Sequence, residues 1–229
     1  MRLHPLMTAA LAAVAATCLL AATPSPADNA GALRAAPGES VTTTWYEALD
    51  ALPEADEARD GYVRTAFRHW IDADKDGCNA RQEVLIAESL EQPVVGARCV
   101  IAGGRWLSLY DNLEFTDPGR LDVDHLVPLA EAWDSGASAW TAAERQAYAN
   151  DLDEDRALIA VSAASNRSKA DKDPADWQPP ATAYRCRYAA DWTAIKTRWH
   201  LAADPAEKAA LEALKADCPN RDLTVTIAR

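Results

Sequence analysis

The sequence predicts an α+β fold in which a small core of two strands and one helix sits inside a mainly helical domain, with an additional β-hairpin beside it. Three observations carry this expectation. Residues 121–127 and 158–161 read as extended stretches separated by a helical insertion at 142–150, and a helix opens directly afterwards, near Ser162 or Ala163. Gly103-Gly104, set between Val100-Ile101 and Trp106-Leu107, makes residues 98–110 read as a hairpin. Residues 184–215 carry two helices broken at Asp204-Pro205, an N-cap residue followed by a proline suited to the first helical position.

The remaining elements follow in chain order. Residues 1–30 have the pattern of a secretory signal peptide: Arg2 and His4 precede an Ala/Leu-rich run at 6–22, and small residues follow. Cleavage is expected after Ala22, Ala27 or Ala30, and a lipid-modified Cys18 ranks below plain secretion. No later stretch approaches the roughly 20 apolar residues of a membrane span. Residues 31–43 read as a flexible linker and 44–229 as a single domain, with its core at 98–180 and a helical C-terminal extension at 181–218. Thr44 is placed to cap a short helix through Trp45, Leu49 and Leu52, and Pro53 with its acidic followers suits the first turn of another. Tyr62, Phe67 and Trp70 supply packing, and a further helix is expected over 81–90, ended before Pro93.

Once the leader is set aside, the cysteines are even in number: Cys78, Cys99, Cys186 and Cys218. An even set in an exported chain favours two disulfides, and three pairings are open. Cys78 with Cys99 and Cys186 with Cys218 are preferred, because each pair closes a local loop. The chain holds 35 acids against 23 bases, a formal net charge of -12. That balance excludes a basic, storage-type nucleic-acid binder and leaves room only for a local cationic site.

The most informative residues are Asp124 and His125 in the stretch Leu-Asp-Val-Asp-His-Leu-Val-Pro at 121–128, answered downstream by Asn166-Arg167-Ser168-Lys169. Neighbours on a strand point to opposite sides, so one can hold a metal while the other faces an attacking water. Strand, long connection, strand, helix is the order of a ββα-metal finger, in which the helix returns Asn166 to the cleft that carries Asp124 and His125. An isolated Asp-His pair is commonly no more than a surface hydrogen bond. Here several further motifs stand in order: Asp76-Gly77-Cys78-Asn79-Ala80-Arg81, Glu131-Ala132-Trp133, Ser135-Gly136-Ala137 and Asp173-Pro174-Ala175-Asp176-Trp177.

With these motifs the chain resembles the HNH endonucleases, and more closely the secreted HNH proteins related to the C-terminal domain of the GmrSD restriction enzymes. The likeness covers roughly residues 62–180. It implies that Asp124 and Asn166 bind one divalent ion, Mg²⁺ by default with Mn²⁺ as the substitute, and that His125 is the general base of phosphodiester hydrolysis on DNA, with RNA as a further substrate. A carboxylate and an amide give no case for catalytic zinc. Arg81, Arg167 and Lys169 are candidate phosphate contacts; a structural ion pair is the alternative for Arg81 and a solvated helix face for Lys169. The family usually supports the histidine with an Asn before the second strand, whereas Asp153-Glu154-Asp155-Arg156-Ala157 stands here. Asn150 or Asp155 is then the expected partner.

A second pattern is independent. Asp72, Asp74, Asp76, Gly77 and Glu83 match positions 1, 3, 5, 6 and 12 of a calcium loop, although Asn79 occupies a position that is normally apolar. Structural Ca²⁺ is one reading, and acids serving a turn or the active-site wall are the other. The competing function class is therefore a secreted, calcium-stabilised binding protein whose core no longer cuts. A serine hydrolase is a poor third choice, since Ser135-Gly136 forms no nucleophile elbow. His69 and His200 stand outside every such constellation and read as structural.

Overall fold

The computed structural model describes residues 35–229, so the expected leader lies outside the described residues. Order begins earlier than the linker expectation allowed. Strand β1 (Ser40–Thr44) pairs antiparallel with β8 (Asp222–Thr226), from Ser40 opposite Thr226 to Thr44 opposite Asp222. Residues 40–43 are thus sheet, because a β-branched run buries Val41 against Val225 and aligns Thr42 with Thr224. Thr44 then caps helix α1 (Trp45–Ala51) in a reciprocal box with Glu47.

Pro53 starts no helix. Its carbonyl accepts Ala203 N and Ala55 N donates to Ala203 O, so the segment is held in an isolated bridge to a distant loop. Helix α2 (Ala80–Ala87) is capped by Asn79 with Gln82. The hairpin expected at 98–110 is split between two ribbons: β2 (Val94–Val95) pairs with β3 (Ile101–Ala102), and β4 (Trp106–Ser108) pairs with β5 (Leu113–Phe115). Gly103 and Gly104, both at positive φ, divert the chain from one ribbon to the next. A Cβ at Gly104 would stand 2.5 Å from the Trp106 ring.

The central pair matches expectation. Strands β6 (Leu121–His125) and β7 (Leu158–Ser162) run antiparallel, with helices α3 (Leu129–Asp134) and α4 (Ala142–Ala149) in the connection. Helix α5 (Ala163–Lys169) follows β7 at once, its first turn capped by Ser162. Two longer helices, α6 (Thr182–Arg198) and α7 (Pro205–Lys215), complete the chain, the latter capped by Asp204 with Pro205 first. The preferred disulfides Cys78–Cys99 and Cys186–Cys218 are both formed.

The segment read as a C-terminal extension turns out to be the centre of the core. Every residue of α6 from Tyr188 to Arg198 is buried, so it has no solvent face and no amphipathic signal to read. Its polar members are consequently paired. Lys196 Nζ lies 2.7 Å from Glu131 Oε1 and 2.5 Å from Glu207 Oε2, with Ser135 Oγ and the Ala202 carbonyl beside it. Burial pulls its ammonium down, and Glu207 and Glu131 more than offset that pull. Arg198 takes Asp151 in a two-point bond, Nε to Oδ2 at 2.7 Å and Nη2 to Oδ1 at 2.8 Å.

Two predictions follow from this packing. Lys196→Met strands two buried carboxylates and is expected to cost about 3–5 kcal/mol in chemical denaturation at pH 7; a loss within measurement error would refute the pairing. Glu88, whose Oε2 accepts Ala160 N from β7, has its carboxyl pushed by burial from 4.5 up to about 7. The folded state therefore binds the extra proton between those values, and stability is lost as pH rises through about 7. Glu88→Gln keeps the acceptor without the charge. It should match wild type at pH 4 and exceed it at pH 8 by up to ~3 kcal/mol, read from denaturant midpoints.

Candidate active site

Antiparallel pairing sets Ile159 opposite Asp124 and Leu158 opposite His125. Ser162 ends β7 opposite Leu121, and its hydroxyl accepts Ser165 N at 3.1 Å while donating to Asp111. Asp111 also accepts Ser165 Oγ at 2.8 Å, which anchors the start of α5. The strand-to-helix turn is therefore abrupt. It brings Asn166 and Lys169, three residues apart on one helix face, back over β6.

Alternation along β6 sorts the polar side chains. Asp122 and Asp124 face α5: Asn166 Nδ2 donates to Asp122 Oδ2 at 3.1 Å, and Lys169 Nζ donates to Asp124 Oδ2 at 2.7 Å. Tyr110 adds its hydroxyl to the same Asp124 oxygen at 2.6 Å. Burial raises the Asp124 carboxyl above the ordinary range, while the Lys169 ammonium and these hydrogen bonds act against the rise. Both bonds fall on Oδ2, so Oδ1 keeps no hydrogen-bond donor among the described residues. With its amide nitrogen committed to Asp122, Asn166 likewise keeps its carbonyl oxygen. One carboxylate and one amide oxygen are hard donors of the kind Mg²⁺ or Mn²⁺ takes.

His125 turns the other way. Its Nε2 sits 3.0 Å from the Ala149 carbonyl, which can only accept, so Nε2 carries the hydrogen and Nδ1 keeps its lone pair. The imidazole is pushed down to about 3 by burial, opposed by the Ala149 carbonyl, and is neutral at physiological pH. Trp70 lies against the ring at 5.2 Å between centroids, inclined by 31°. The expected supporting partner is corrected here. Neither Asn150 nor Asp155 touches the histidine; Asn150 instead fixes the end of α4, accepting Ile71 N at 3.0 Å and donating to Arg68 O at 2.8 Å.

Asp124, His125, Asn166 and Arg167 all border one cleft of about 330 Å³, joined there by Arg64 and Asp171. A larger cavity of about 470 Å³, bordered by Val84, Leu107, Leu158 and Ile159, contains none of the three motif residues. Two candidate phosphate contacts are overturned. Lys169 is completely buried and spent on Asp124 and the His125 carbonyl, because its helix position points inward. Arg81 stands outside the cleft and braces β6 through the Leu121 carbonyl at 2.9 Å. Arg167 is exposed at the rim. Arg64, Tyr110, Trp70 and the Ala149 carbonyl went unnoticed in the sequence as site groups, since none has local spacing to Asp124 or His125.

Asp72, Asp74 and Asp76 stand together in the open, with carboxylate oxygens within 4.8 Å of one another. Each already accepts a backbone N–H of its own turn, from Gly77, Asp76 and Cys78 respectively. Glu83, on α2, lies outside that trio.

An uncharacterized secreted protein of Arthroderma benhamiae is 36% identical over 208 residues, which is 91% of this chain and 98% of that protein. No solved structure matches the chain. Residues 59–214, which include Arg64, the whole strand pair and α5, match the family described as GmrSD restriction endonucleases, C-terminal domain. The chain belongs to that nuclease-related family.

Proposed function

We propose that this protein is a secreted, metal-dependent endonuclease that hydrolyses phosphodiester bonds of DNA. The observation that carries the reading is His125, its Nε2 tied to Ala149 and its Nδ1 left to accept, in the same cleft as the oxygen donors of Asp124 and Asn166. Those two residues would hold one divalent ion, Mg²⁺ in the first place. Bound there, the ion supplies Lewis-acid neutralisation of the charge that grows on the phosphate. Asp124 is oriented for this by Tyr110 and Lys169, and the Lys169 bond to the His125 carbonyl sets the strand end beside it.

His125 accepts the proton of the attacking water at Nδ1. The Ala149 carbonyl holds the required tautomer, and Trp70 restricts the ring. Arg64 and Arg167 at the rim meet substrate phosphates, so cleavage is strongly salt-dependent on a chain of net charge -12. The products carry 5′-phosphate and 3′-hydroxyl ends. Export is supported by the leader pattern, by two disulfides and by the secreted relative; among the described residues no helix is long and apolar enough to cross a membrane.

Nicking of supercoiled plasmid with Mg²⁺ or with chelator tests the proposal. Wild type should cut only with metal, and His125→Ala should be slower by roughly 10²–10⁴-fold while still unfolding in one cooperative transition. A folded wild type inert with Mg²⁺ and Mn²⁺ alike would reject the enzyme and favour a binding protein built on the same core. Asn150→Ala, which loosens the loop that carries the Ala149 carbonyl without touching the cleft, should lower kcat by about tenfold with KM little changed. An unchanged kcat would show that the loop does not position the histidine.

A further inference from the structure

Away from the cleft, α3 carries two carboxylates into the interior. Glu131 is 1% exposed and Asp134 is 5% exposed, and each has one oxygen satisfied and one not. Glu131 Oε1 accepts from Lys196 and Ser135, whereas Oε2 is buried without any hydrogen-bond partner. Asp134 Oδ2 accepts Arg59 Nε at 2.6 Å, whereas Oδ1 is buried and bare. Glu57 completes a trio with them, the three offering oxygens within 4.8 Å of one another. That spread suits a common ion, since ligand oxygens at about 2.3–2.6 Å from Ca²⁺ stand at most ~5 Å apart.

Charge points the same way. Lys196 and Arg59 are the two cations paired with the cluster, against Glu57, Glu131, Asp134 and Glu207. The carboxylates outnumber the cations, and an uncompensated carboxylate in such surroundings is costly. Glu57 belongs also to a second trio with Asp173 and Asp204, at a cleft of about 330 Å³, and Asp204 Oδ2 is again buried and bare. The exposed trio of Asp72, Asp74 and Asp76 has no such bare buried oxygen among the described residues.

We infer that Glu57, Glu131 and Asp134 form a structural site for a divalent cation of the calcium class, with Asp173 and Asp204 grouped around the same Glu57 in a second trio. The ion joins the irregular segment around residue 57 to α3, the helix that follows His125, and so ties the N-terminal part of the domain to the strand pair. The site stands independently of the nuclease reading.

Titration of chelator-stripped protein with CaCl₂, followed by calorimetry and by thermal unfolding, tests it without any activity measurement. Wild type should bind with saturable heat at or below the millimolar range and gain several degrees in Tm. Glu57→Gln, an exposed change that leaves the fold intact, should weaken binding by about tenfold or more, while Asp74→Asn leaves it unchanged. No saturable heat and no Tm gain in wild type would overturn the site. So would calcium binding that survives Glu57→Gln and is lost in Asp74→Asn.

Discussion

The ammonium of Lys169 is the constraint on which the cleft depends. It is fully buried, and in one position it meets the side chain of Asp124 and the backbone of His125. Burial drives it toward the neutral amine, and Asp124 opposes that change. A helix that must bring this charge to this carboxylate has little freedom to slide along β6. The position of Asn166, one turn earlier on the same face, is thereby determined as well.

The histidine depends on the opposite side of the domain. Its support is a backbone carbonyl, and a carbonyl is only as well placed as the loop that carries it. Asn150 and Asp151 secure that loop, the first to residues 68 and 71 and the second to Arg198 and Trp199 at the end of α6. The most buried helix among the described residues thus acts on the cleft through three consecutive residues, 149–151. Core packing and chemistry are coupled here by hydrogen bonds rather than by proximity.

Charge is sorted by depth and by side. Arginines stand at the cleft rim, where a polyanion would arrive, while acids crowd around α3 and the start of α7. A net charge of -12 is compatible with a cationic approach because the two regions are separate. The buried acids are tolerable only where lysine, arginine or a bound cation answers them.

Much of this was legible in the residues alone. Thr44 and Asp204 announce their helices as caps, and the Asp-His pair with Asn166 marks the candidate site, because caps and strand alternation act within a few residues. Cys78–Cys99 and Cys186–Cys218 were preferred on locality, and both form. What lay beyond reach depends on partners far along the chain. The β1–β8 pairing joins residues 40 and 226, the Pro53 segment answers Ala203, and the 98–110 stretch divides between two ribbons. The burial of Lys169 belongs to this class too, since a lysine at a helix end reads as solvated until its face is known. By itself the sequence determined the strand, strand and helix order of the central core, a preference among three disulfide pairings, and Asp124, His125 and Asn166 as the candidate site residues; only the tertiary structure decided which groups orient them, because those are a buried ammonium and a backbone carbonyl whose roles exist only after distant segments have packed.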